Sequence, residues 1–92
     1  MKITVVCGNG LGSSLMMEIM IKKILDAEGT NYDIDHVDLS SVHGTHSDIY
    51  IGTRDITSQF SVNSGIVVSL DNIVDQKAMK EKILTAISQL NA

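Results

Sequence analysis

The chain has 92 residues, of which 43% are hydrophobic, 20% charged and 3% aromatic, with a formal net charge of -4. That balance excludes a basic nucleic-acid face, no segment approaches the ~20 apolar residues of a membrane span, and the single cysteine cannot form an internal disulfide. The expectation is one small domain over residues 1–92, reduced and cytoplasmic, without the basic, apolar and small-residue order of a signal peptide and with a core of Ile, Val, Leu and Met.

Residues 2–6 read as a short buried strand, β-branched and bounded by glycine, which delivers Cys7 at its end. The glycine-rich segment after it leads into a helix over 13–28, with Ser13 as candidate N-cap and Gly29 as the stop. On that helix Glu18, Lys22, Lys23 and Asp26 mark the wet face, and Met17, Met20, Ile21 and Ile24 lie opposite. Leu15 and Ile19 fall on the wet face, continuing the line of Leu11. Tyr32–Asp38 alternates as a second strand, with Ile34, Tyr32 and His36 facing inward. A polar connection over 39–47, containing a short helical turn, leads to a third strand at Asp48–Gly52. Residues 53–63 are polar, with one or two helical turns around Ile56–Phe60, and Gly65–Leu70 is the fourth strand. A final helix over 75–90 sets Met79, Ile83, Ala86, Ile87 and Leu90 on one face.

Strands alternating with helical or looped crossovers imply parallel βαβ units with right-handed connections. The expected fold is α/β: a small four-stranded parallel flavodoxin-like sheet, order 2-1-3-4, with helices on both faces. The chain reverses across the sheet between strands 1 and 3, and ligands bind such sheets at the carboxyl end of strand 1. Cys7 is expected there.

A lone cysteine is ordinarily a small buried hydrophobe. Here it is followed by Gly8-Asn9-Gly10-Leu11-Gly12-Ser13-Ser14, a run that can aim several backbone N–H groups at one anion just ahead of a helix N-terminus. Both features favour a thiolate and a phosphate, so Cys7 is the candidate nucleophile. A dinucleotide fingerprint fits poorly, since Gly8-x-Gly10-x-x-Ser13 and Gly10-x-Gly12-x-x-Leu15 both lack the third glycine, and no Gly-Lys-Ser/Thr ending supports a Walker loop. A small tyrosine phosphatase or arsenate reductase needs an arginine six residues after the cysteine, where this chain has Ser13, and an acid commonly placed before a proline, which the chain lacks. A phosphocysteine formed here would wait for an acceptor, which suits a carrier. His43 and His46, with His36 upstream, lack the further ligands of a metal site, and the polar loop after strand 2 reads as carrying surface histidines. Thr53 and Arg54, after strand 3, are candidates for touching the site or attracting a phosphorylated partner, against the plainer reading of a solvated loop.

The segment from Cys7 to Ser14 resembles the phosphocysteine loop of enzyme IIB components of the bacterial sugar phosphotransferase system, most closely the ascorbate-type IIB group. The resemblance implies that Cys7 takes a phosphoryl group from a phosphohistidine on a IIA protein or domain and passes it to a sugar, ascorbate or a related one, held by the membrane IIC transporter. Gly8, Asn9, Gly10, Leu11, Gly12, Ser13 and Ser14 would then cradle the phosphate, with no metal or nucleotide required. Leu11, Leu15 and Ile19 form a candidate apolar docking strip beside Cys7, on a carrier expected to be monomeric and only transiently at the membrane. The rival readings are a module that binds a phosphorylated ligand without covalent chemistry, or a small cysteine phosphatase.

Overall fold

A computed structural model describes residues 1–8, 12–72 and 75–91, with residues 12–14 described by their backbone alone. The elements run β1 (Lys2–Cys7), α1 (Gly12–Ala27), β2 (Asp33–Asp38), a 3₁₀ helix (Leu39–Gly44), β3 (Ile49–Thr53), α2 (Arg54–Thr57), β4 (Ile66–Leu70) and α3 (Gln76–Leu90). All strand pairs are parallel and the order is β2-β1-β3-β4, as expected from the sequence. β1 runs one residue further than expected, so Cys7 is its last residue.

β1 is buried from Ile3 to Cys7 because both faces of the sheet are covered there. Ile3 and Val5, with Ile49, Ile51, Val68 and Leu70, pack against Met17, Ile21 and Leu25 of α1 and Met79, Ile83 and Ala86 of α3. On the other face Val6 meets Val42, Tyr50 and Phe60 in a smaller cluster rimmed by Ile56 and Val62, beneath the 3₁₀ helix and α2. Thr4, fully buried, meets the Ser47 hydroxyl with its own.

α1 begins at Gly12, so Ser13 lies in the first turn and not at the N-cap, and its side chain is outside the described atoms. Its far end closes as expected at Gly29, whose φ of 68° lets Gly29 N–H reach Asp26 O (3.2 Å) and Thr30 N–H reach Leu25 O (3.1 Å). α3 starts where the Asp75 carboxylate accepts from Ala78 N–H at 3.1 Å.

One expectation for β2 fails. Tyr32, just before the strand, packs half-buried against the core as expected, but His36 is exposed. β2 is an edge strand, and α1 presents to it the polar Glu18, whose carboxylate lies 3.3 Å from His36 Nδ1. The alternation with Ile34 set the face of His36 correctly, but that margin of the face is wet.

Candidate functional site

Cys7 ends the central strand β1 and is 7% exposed. Its thiol donates to the Val37 carbonyl oxygen of β2 at 3.3 Å. Its register partner across the β1–β2 ladder is Asp38. Asp38 caps the 3₁₀ helix, accepting from Ser41 N–H at 3.0 Å and the Ser40 hydroxyl at 2.9 Å. These hydrogen bonds, from Ser41 first and then Ser40, hold its carboxyl below the ordinary aspartate value. An acceptor-only carboxylate already engaged by two donors is thus fixed beside Cys7 at the strand end.

On the other side of β1, the chain leaves β3 at Thr53 and enters α2. Gly52 is tightly enclosed: a Cβ there would lie 3.2 Å from Val6 O and 3.3 Å from Thr57 Cγ2. Thr57 bonds the Ser69 hydroxyl at 2.6 Å and donates to Arg54 O at 3.2 Å. Arg54 pairs with Asp71 through Nε at 2.7 Å, both side chains well exposed.

The candidates from the sequence therefore separate. Cys7, Gly8, Thr53 and the start of α1 gather at the carboxyl edge of the sheet, with Arg54 tied to Asp71 there. Asn9, Gly10 and Leu11 of the proposed cradle lie outside the described residues, as do the side chains of Ser13 and Ser14. His46 sits at the opposite, amino edge, beside Lys2, Ser47 and Asp48. His43, in the 3₁₀ helix, is exposed. Among the described residues no group of three or more His, Cys, Asp or Glu is arranged to hold a metal ion. Leu15 and Ile19 are 54% and 49% exposed, joined by Met16, while Met17 and Met20 are buried.

Three contacts are absent from the sequence reading: Cys7 with Val37, Ile56 with Gly8, and Arg54 with Asp71. The last was accessible, because Arg54 and Asp71 each follow a strand and those strands are neighbours in the order 2-1-3-4. The first two depend on side-chain direction and carry no composition signal.

A family model described as the lactose/cellobiose-specific IIB subunit of the sugar phosphotransferase system (PTS) matches residues 2–85. The chain belongs to the PTS IIB family. It is also similar to a protein named the ascorbate-specific PTS system EIIB component of Mycoplasma pneumoniae, 30% identical over 80 residues that span 84% of each chain. A IIB chain serves phosphoryl transfer in sugar transport, and IIB components work with IIA and IIC partners. Among the described residues no helix is long and apolar enough to cross a membrane.

Proposed function

We propose that this IIB chain is a cytoplasmic phosphoryl carrier whose covalent intermediate is phospho-Cys7. Sγ attacks phosphorus of a phosphohistidine on IIA, an S–P bond forms, the N–P bond breaks, and the thiol proton ends on the departing histidine nitrogen. In the second half-reaction a hydroxyl of the sugar held by IIC attacks the same phosphorus, an O–P bond forms, the S–P bond breaks, and the hydroxyl proton ends on the departing cysteine sulfur. Backbone N–H groups of the segment from Gly8 to Ser14, with the first turn of α1 and the Ser13 and Ser14 hydroxyls, would neutralise the transferring oxygens. The chemistry asks for little beyond positioning and electrostatics. The observation that carries this reading is Cys7 as the terminal residue of the central strand, directly before the glycine-rich segment and α1.

The sugar assignment is ascorbate or a related acid sugar. It is supported by the form of the segment from Cys7 to Ser14 and by the name of the Mycoplasma relative, whereas the matching family model is described for lactose and cellobiose. Residues 1–92 act as one domain and the free carrier is a monomer.

The test is incubation with phosphoenolpyruvate, the two general phosphotransferase proteins and an ascorbate-type IIA. Intact-mass and peptide mass spectrometry should find one phosphate, on Cys7. A protein that binds its phosphorylated ligand without gaining mass would be a non-covalent module, and the carrier reading would fall.

A further inference from the structure

Gly8 is the first residue after the nucleophile, and its φ lies outside the left-handed region. A side chain there would have to displace a neighbouring methyl group. A Cβ built on Gly8 would lie 2.7 Å from Ile56 Cδ1, with Ile56 Cγ1 next at 3.9 Å. The δ-methyl of Ile56 is therefore seated on the Gly8 backbone. The γ-methyl of the same side chain faces Gly52, 3.6 Å from where a Cβ would stand. α2 is itself tied to β4 and the residue after it, through Thr57 to Ser69 and Arg54 to Asp71. Cys7 is held from the β2 side by the Val37 carbonyl, and Gly8 from the β3 side by Ile56.

We propose that Ile56 is a positioning residue for phosphoryl transfer: its δ-methyl fixes the backbone of Gly8, the residue bonded to Cys7. The inference rests on the reading of Cys7 as nucleophile. Its physical basis is that a glycine has no side chain with which to anchor itself, so its backbone must be located by something else. Transfer that depends on alignment is sensitive to small displacements, and a misplacement of about 1 Å can cost on the order of a hundredfold.

The test moves one methyl group. Ile56→Val removes the atom against Gly8 and keeps the branch toward Gly52. Gly8→Ala supplies a methyl from the other side. Transfer from phosphorylated ascorbate-type IIA to Cys7 is followed in Ile56→Val, Gly8→Ala, the double variant and Cys7→Ser. Each single variant should slow the rate at saturating IIA, Ile56→Val by about threefold and Gly8→Ala by about tenfold. KM for IIA should stay within about twofold, because the effect is on alignment and not on docking. The double variant should recover to within about twofold of wild type. Melting temperatures should shift by less than about 5 °C for a one-methyl change at a half-buried site.

If Cys7→Ser accepts phosphate as fast as wild type, the nucleophile reading fails and this inference with it. If Cys7→Ser is inactive while both single variants transfer at the wild-type rate, the role of Ile56 alone is overturned. A change in KM at constant saturating rate would make Ile56 part of a docking surface and overturn it too. Failure of the double variant to recover would do the same.

Discussion

The Cys7 thiol donates to the Val37 carbonyl oxygen across 3.3 Å, so its Sγ is turned toward the neighbouring strand. Neither a thiolate nor an S-phosphate has a proton to donate to that oxygen, and both would meet its lone pairs. Phosphorylation should therefore carry Sγ off Val37. Because the chain has one cysteine, its S–H infrared band is unambiguous. The band should be shifted to lower frequency relative to a free thiol and vanish on phosphorylation. Cys7→Ser keeps a donor for the same carbonyl, so its melting temperature should match wild type, while transfer falls by more than about a thousandfold. An unshifted S–H band would show the thiol free of Val37.

That pairing also marks how far the sequence could be read. The run Ile3-Thr4-Val5-Val6 has the composition of a strand covered on both faces, which made β1 central and placed Cys7 at the carboxyl edge. Order 2-1-3-4 follows from the same pattern and from handedness. His36 was assigned to the right face and the wrong environment, because alternation reports parity and not what the facing helix presents. Ile56 reads as an apolar residue in a polar connection, yet its δ-methyl lies against Gly8, the residue after Cys7. Such contacts arise only when strand ends from distant parts of the chain meet at one edge.

Asp38 gives a pH prediction with a definite sign. Its carboxyl is held low in the folded state by Ser41 and Ser40, so it binds its proton less readily folded than unfolded. The stabilisation is present above the unfolded value of about 4 and is lost as pH falls through the lowered folded value. Urea midpoints of wild type and Asp38→Asn should therefore differ at pH 7, wild type being the more stable, and converge near the acid end. A gap that persists at low pH would assign the effect to shape and not to charge.

Gly65, the residue before β4, has a φ of 93°, a region that favours glycine. A Cβ there would also stand 2.7 Å from Ser47 O and 3.2 Å from Asp48 O, backbone atoms just ahead of β3. Gly65→Ala should destabilise the fold by roughly 1–3 kcal/mol, read from chemical denaturation. Gly44, with nothing within 4 Å of its Cβ position and no positive φ, is the control and should tolerate alanine. Equal stabilities for the two variants would mean that β4 can re-register around position 65.

Leu15 and Ile19 stand one turn apart on α1, 54% and 49% exposed, in the half of the helix nearest the end of β1. Exposed apolar side chains beside a transfer site offer a partner something to bury, and transient group-transfer contacts are small. Replacing both with Asp removes apolar surface without opening a core, since Met17, Met20, Ile21 and Leu25 carry the packing of this helix. Acidic residues toward a helix N-terminus are also tolerated by its dipole. Melting temperature should change by less than about 5 °C. Transfer between the double variant and IIA should instead lose about tenfold or more in kcat/KM, mainly through KM. Alkylation of Cys7 by iodoacetamide, which needs no partner, should proceed at the wild-type rate. A double variant that unfolds would make the strip part of the core. One that folds and transfers normally would move docking to the loops after β3 and β4, where Arg54 and Asp71 already meet.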